Sequence, residues 1–268
     1  MSRDITTSVL ANTDLGNGNW LLEFGSPELA SGMRPAQFFM IGIPGAATLL
    51  RRPYSVCGLP GTFEDRPDGA VQVLYKVVGH GTGLLSSLAP GAPLTVLGPL
   101  GNGFTPPDDP EVTPLFVAGG IGSAPFPALA ASYEGRFPKP VMIYGARGAG
   151  DLALSDWFGE RTEMDISTDD GSVGHHGRLT DPLIARLDRE PQRKFKMYVC
   201  GPEPMLEAVG KIAVQRGIPC ELSLEAHMAC GFGVCLGCVV PVRRADETTG
   251  YDRVCMEGPV MSADRMAW

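Results

Sequence analysis

The chain has 268 residues, 44% hydrophobic and 19% charged, an ordinary globular composition with room for two or three small domains. A net charge of −8 argues against a nucleic-acid partner, and no apolar run approaches the about 18 residues of a membrane span. Glycine (35) and proline (24) are abundant, so turns and loops make up much of the chain.

The opening residues contain no apolar stretch of the kind a secretory signal needs. Cys57, Cys200 and Cys220 are scattered singly, which fits a reducing cytoplasm better than a disulfide framework. Short β-branched and aromatic segments recur between Gly and Pro turns: Trp20–Phe24, Gln37–Gly42, Val71–Val78 and Leu94–Leu97. This spacing predicts a small antiparallel barrel. Within it, Arg52-Pro53-Tyr54-Ser55 puts a cation, a flat ring and a hydroxyl in four residues. Arg52 could pair with a diphosphate, Tyr54 could stack on an aromatic ring system, and Ser55 could bond its edge. A β-turn with ordinary packing reads the same residues as well. Gly79-His-Gly81-Thr82 opens a short helix over Leu84–Leu88 and is a second candidate phosphate nest. Pro106–Pro110 reads as a linker.

Beyond the linker, strands alternate with helices, which predicts a parallel sheet covered on both faces. The strand Pro114–Ala118 runs into Gly119-Gly120-Ile-Gly122 and an Ala-rich helix to about Tyr133. Pro140–Tyr144, Glu163–Ser167 and Lys196–Cys200 are further strands, the last running into Gly201-Pro202-Glu-Pro-Met205 and a helix to Arg216. A Gly-rich strand–helix turn offers bare amides to a phosphate. The usual dinucleotide fingerprint is incomplete: Pro125 stands at the third glycine, and no acidic residue follows at about 20 positions. A tight turn without ligand is the alternative, but two such turns at strand ends in one sheet suit a nucleotide crevice. Arg147, after the second strand, would suit the 2′-phosphate of NADP. His175 and His176, in a polar Gly loop, read as surface residues.

The tail carries the most specific signal. Cys230-Gly-Phe-Gly-Val-Cys235-Leu-Gly-Cys238, followed by Cys255, has the plant-type spacing of a [2Fe–2S] cluster. Four thiolates must converge on two irons while the backbone wraps the bridging sulfides, and Gly231, Gly233 and Gly237 suit such a loop. A structural zinc site is the alternative, but zinc sites usually pair two CxxC or CxxH units and only one CxxC is present. His227 lies outside the pattern.

In this order the motifs resemble the ferredoxin–NADP reductase superfamily and, within it, the electron-transfer subunits of class 1B dihydroorotate dehydrogenases. The resemblance covers nearly the whole chain. Leu49–Val56 and Gly98–Phe104 are similar to that family's barrel, and Thr168–Gly177 to its acidic Gly-rich loop. It implies an α+β multidomain fold: an N-terminal antiparallel FAD-binding β-barrel (1–106), a central α/β parallel-sheet NAD-binding domain (107–222) and a small C-terminal [2Fe–2S] domain (223–268). By motif, it implies that Arg52, Pro53, Tyr54 and Ser55 contact the flavin and its phosphates, with Leu74, Tyr75 and Lys76 alongside. It puts the flavin diphosphate on Gly81 and Thr82, the NAD diphosphate on Gly120 and Gly122, and the nicotinamide near Cys200, Gly201, Pro202 and Met205. Cys230, Cys235, Cys238 and Cys255 hold the cluster, and Glu225 sits near the flavin. No residue is needed as a general base, because the cofactors carry the reaction. The resemblance points to NAD rather than NADP, to pyrimidine biosynthesis, and to a dihydroorotate-oxidising FMN partner subunit in a heterotetramer of two copies of each. The alternative enzyme reading is a related subunit serving a sulfide dehydrogenase, a sulfite reductase or an NAD(P)H–ferredoxin transhydrogenase. A non-catalytic redox sensor is the alternative outside enzymes.

Overall fold

Six antiparallel strands form the N-terminal part: β1 (Arg3–Gly16), β2 (Asn19–Gly25), β3 (Phe38–Gly42), β4 (Arg52–Ser55), β5 (Ala70–Lys76) and β6 (Pro93–Leu100). Their order is β4-β3-β6-β1-β2-β5. The computed structural model describes every residue except Met1 and residues 47–49, so Leu49 of the barrel motif lies outside the described residues. The outer strands β4 and β5 turn toward each other, and Tyr54 meets Tyr75 edge to face with centroids 6.1 Å apart, so the barrel nearly closes. Alternation shapes β6: Leu94 and Val96 point into the barrel, while Leu97 and Leu100 pack on the other side toward the tail. Leu22, Phe24, Phe39, Val71 and Val73 complete the barrel core. Among the described residues this part holds two short helices, α1 (Pro27–Gly32) and α2 (His80–Ser86). Arg52–Ser55 is thus a strand rather than a turn. β1 is mostly exposed and carries little alternation, which is why its 14 residues were not legible in the sequence.

The central part contains β7 (Thr113–Gly119), α3 (Phe126–Tyr133), β8 (Val141–Ala146), α4 (Ser155–Arg161), β9 (Glu163–Thr168), β10 (His175–His176), α5 (Thr180–Arg189), β11 (Phe195–Cys200), α6 (Glu203–Arg216) and β12 (Cys220–Ser223). The tail adds a hairpin of β13 (Val239–Arg243) and β14 (Thr249–Arg253), then β15 (Val260–Ser262). One seven-stranded sheet runs β10-β9-β8-β7-β11-β12-β15, parallel except for β15, which pairs antiparallel with β12. The tail is therefore stitched into the central sheet. Leu115–Ala118 of β7 and Met197–Val199 of β11 are almost wholly buried, as a strand covered on both faces requires. Arg186 of α5, 8% exposed, clamps β9 through Asp165 (2.7 Å) and Glu163 (3.1 Å) and also bonds Glu190 (2.8 Å). The chain leaves β7 for β8 and β9 on one side and returns to β11 on the other. The carboxyl ends of β7 and β11 are thus the switch point where open α/β sheets bind ligands.

Candidate functional site

The two Gly-rich turns meet at that switch point. A Cβ on Gly122 would lie 2.4 Å from the Cys200 carbonyl oxygen and 2.7 Å from Gly201 Cα, so only glycine lets the turns close on each other. Gly119 is pinned in the same way, 2.6 Å from Met205 Sδ and 2.9 Å from Pro202 Cδ by the same measure. Gly120 differs: its φ is +53°, and a Cβ there would meet no protein atom. It borders a cleft of about 450 Å³ lined also by Arg147, Asp169, Pro202 and Met205. Gly120, Pro202 and Met205 therefore border this cleft, whereas Gly122 and Gly201 hold the two turns against each other.

A second cavity of about 380 Å³ opens on the barrel and is lined by Pro53, Tyr54, Ser55, Leu74, Tyr75, Lys76 and Thr82. Gly122 and Cys200 reach it from the central sheet, and Met228 and Pro259 from the tail. Burial pushes the Tyr54 hydroxyl up to about 12 against the charge of Arg52, so the ring stays neutral. The Arg52 guanidinium packs over Gly81, where an added Cβ would stand 2.2 Å from its Cζ. The Thr82 hydroxyl accepts from the N–H groups of Val78 (2.9 Å) and Gly79 (3.1 Å) and donates to the Gly79 carbonyl, so it braces the loop. The two cavities share Lys76, Val78, Ile121 and Glu225. Glu225 is open to the cavities but recessed among protein atoms, and burial holds its carboxyl above the ordinary range. Burial, then the Glu225 charge, also pushes up the Cys200 thiol, which argues against a nucleophilic role.

The cysteine loop packs on the barrel. A Cβ on Gly231 (φ +79°) would stand 2.6 Å from Met40 Cγ, and one on Gly233 (φ +86°) 2.6 Å from Met256 Cγ. Gly237 has no such constraint; Leu236 takes the left-handed conformation instead, at φ +57°. Asn102, after β6, ties the Cys255 segment down: its N–H donates to the Gly258 carbonyl (2.7 Å), and its side chain bonds Val260 N (2.9 Å) and the carbonyls of Glu257 and Val260. The thiols fall into two interacting pairs, Cys230 with Cys235 and Cys238 with Cys255. Burial disfavours the Cys230 thiolate, but the N–H groups of Cys235, Phe232 and Val234, with the Cys235 thiol, bring it down to about 6. Burial and the neighbouring Cys238 thiol push Cys255 up to about 12. Among the described residues no three Cys, His, Asp or Glu converge as a set on one metal-ion position. Two pairs flanked by inward N–H groups fit two irons bridged by sulfide better than one tetrahedral ion. His227 is exposed, and His175 pairs at the surface with Asp181 (3.1 Å).

Sequence reasoning named Lys76 but missed its partner. Asp151, after β8, accepts from Lys76 Nζ and from Asn17 Nδ2 (2.7 Å), linking the barrel to the central sheet at the edge of the cleft that also holds Gly120. Nothing in the sequence signals a pair 75 positions apart.

A family profile described as "Iron-sulfur cluster binding domain of dihydroorotate dehydrogenase B" matches residues 225–267. The chain is 34% identical, over its full length and that of the relative, to the "Dihydroorotate dehydrogenase B (NAD(+)), electron transfer subunit" of Desulforamulus reducens. It is 38% identical to the protein of the same name from Geobacillus kaustophilus, over 89% of each chain. Among solved structures it is similar to an NADH-dependent reduced ferredoxin-NADP oxidoreductase, with TM-score 0.79, 26% identity, and coverage of 98% of this chain and 90% of that one. By sequence over its whole length and by fold, the chain belongs to the family of dihydroorotate dehydrogenase B (NAD(+)) electron transfer subunits.

Proposed function

We propose that this chain carries electrons between a dihydroorotate-oxidising FMN subunit and NAD⁺ in pyrimidine biosynthesis. The contiguity of its three candidate sites supports this most directly. Lys76, Val78, Ile121 and Glu225 border both cavities, and Met228, two residues before Cys230, lines the barrel cavity. In this reading FAD occupies the barrel cavity, NAD the cleft at Gly120, and a [2Fe–2S] cluster the four thiols. Bound there, the flavin supplies the conversion between one-electron transfer through the cluster and two-electron hydride transfer with the nucleotide.

The protein's own residues bind, orient and exclude water. Tyr54, Tyr75 and Leu74 offer flat and apolar surface to the isoalloxazine, and Ser55 a hydroxyl to its edge. Arg52 is poised over Gly81 to pair with the flavin diphosphate. The amides of Gly119–Ile121 would hold the nucleotide phosphates, and Pro202 and Met205, which line the same cleft, would serve the nicotinamide. Cys200 stays a neutral thiol beside it. Natural boundaries are 1–106 for the flavin unit, 107–222 for the nucleotide unit and 223–268 for the cluster unit.

The partner seat is the rim of the cluster. Phe232 (48% exposed), Val234 (73%), Leu236 (59%) and Met256 (48%) alternate with or adjoin the four cysteines in the chain, and apolar side chains left in water beside a redox site suit a protein partner. Two copies of each subunit assemble. No described helix is long and apolar enough to cross a membrane, and free thiols suit the cytoplasm. A role with a different partner enzyme is not favoured, since both relatives named above carry the dihydroorotate name. The test is anaerobic co-purification with a dihydroorotate dehydrogenase catalytic subunit, with mass measurement and an assay of dihydroorotate-dependent NAD⁺ reduction. A 2:2 complex active only when both chains are present is expected. NADH-driven dye reduction without coupling to dihydroorotate would reassign the partner.

A further inference from the structure

Asp151 sits where neither cofactor motif reaches, yet it joins the two halves of the site. It closes the short 3₁₀ turn Ala149–Asp151 after β8. One of its oxygens accepts from both Lys76 Nζ, at the end of β5, and Asn17 Nδ2, in the β1–β2 turn. The carboxylate and the ammonium are largely shielded, with side chains 16% and 27% exposed. Next to them Asn19, 2% exposed, donates to the carbonyls of Gly150 (3.0 Å) and Gly16 (3.2 Å), while its own Oδ1 has no protein partner. Leaving a buried acceptor unbonded is unfavourable. The amide is thus oriented for its donors, and one of them grips the Asp151 turn. Three barrel side chains therefore clasp one two-residue stretch of the nucleotide unit.

The geometry points to Asp151 as a positioning residue for hydride transfer. The inference rests on the assignment of the two cavities to flavin and nucleotide. Lys76 lines both cavities and Asp151 lines the nucleotide cleft, so the clasp fixes the edge of β5, which borders the flavin, against the turn after β8, which borders the nucleotide. The apolar cluster behind it, which joins Leu21 and Leu74 of the barrel to Ala124 and Ala153, holds the units together but has no direction. The charged clasp supplies the registration. Hydride transfer needs near-contact geometry, and a shift of about 1 Å can slow a reaction by about 100-fold.

The test uses the full chain with its cofactors, as wild type, Asp151→Ala and Asn17→Asp. The second variant sits at an exposed hairpin tip, where folding is not at stake, and places a carboxylate against Asp151. Anaerobic stopped-flow flavin reduction at saturating NADH should slow roughly tenfold in both. The primary isotope effect with 4-deuterated NADH should grow, while flavin content, iron content and the NADH Kd stay near wild type. Without NADH, amide hydrogen exchange over 16–19 and 148–152 should rise roughly tenfold, with β7 unchanged. Wild-type reduction rates and isotope effects in both variants would overturn the positioning role alone. If wild type itself shows no NADH-driven flavin reduction, the cavity assignment falls, and the clasp's role with it.

Discussion

Gly122 and Gly120 are two residues apart, and the structure assigns them opposite constraints. In Gly122→Ala the new Cβ would sit 2.4 Å from the Cys200 carbonyl oxygen. Carbon–oxygen contacts settle at about 3.3 Å, so the turns after β7 and β11 must part by about 0.9 Å. The obstacle is backbone, which cannot rotate away, so the cost is at the upper end of overpacking, about 3 kcal/mol. For a chain of this size that lowers Tm by about 6–12 °C. The same separation displaces the turns that border the cleft and slows flavin reduction by NADH. In Gly120→Ala nothing lies within 4 Å of the Cβ, and φ +53° alone costs about 1 kcal/mol, or about 2–4 °C. Its methyl stands in the cleft, so NADH affinity falls about tenfold or more, an effect of about 1.4 kcal/mol. Thermal unfolding and NADH titration of both variants make the assay. A Gly122→Ala protein as stable as wild type would refute the close-approach argument. Unchanged NADH affinity in Gly120→Ala would remove the nucleotide phosphates from this turn.

Other outcomes follow from the same geometry. Cys235→Ser should abolish cluster absorbance and lower iron content while leaving FAD bound; simultaneous loss of FAD would show that the two sites are one unit. Glu225 has a carboxyl held above its ordinary value of 4.5, so its ionisation opposes folding: its stabilising contribution is complete below that value and is lost as pH rises through the raised one. Glu225→Gln should therefore melt higher than wild type at neutral pH, with the gap closing in acid; a gap that widens in acid would reverse the assignment. Arg186→Ala takes the cation from Asp165 and leaves Glu163 and Glu190 to Arg193, and should cost about 3 kcal/mol in chemical denaturation, without changing flavin or cluster spectra. Val234→Asp should weaken partner binding by about 2 kcal/mol, roughly 30-fold in Kd, with NADH-driven dye reduction intact.

The parts of this site legible in the sequence were those whose chemistry is local. The cysteine spacing pointed to the cluster because three of the four cysteines and their glycines lie within one loop. The strand β7, the turn at Gly119–Gly122 and the strand β11 were legible because buried parallel strands read as apolar runs that end in glycine. Arg52–Ser55 was recognised by residue type, but its conformation was not: β4 is a short outer strand that contains Pro53 and is held by pairing with β3, which local propensity does not encode. That Cys200 packs against Gly122, so that no Cβ fits there, is a long-range contact the sequence cannot show. The Lys76–Asp151 clasp, the Asn102 anchor on the Cys255 segment and the pairing of β15 with β12 join residues far apart in the chain, so only the fold reveals them. The helices α4 and α5 were obscured by charged sequences whose apolar faces are short.

The central claim is that electrons from the partner must pass through the cluster to reach the flavin and NAD⁺. The most direct measurement compares wild type and Cys235→Ser, each assembled anaerobically with a dihydroorotate dehydrogenase catalytic subunit and each shown to retain FAD. Wild type should reduce NAD⁺ with dihydroorotate, and the variant should not, although NADH still bleaches its flavin. NAD⁺ reduction at the wild-type rate by the cluster-free complex would contradict the account.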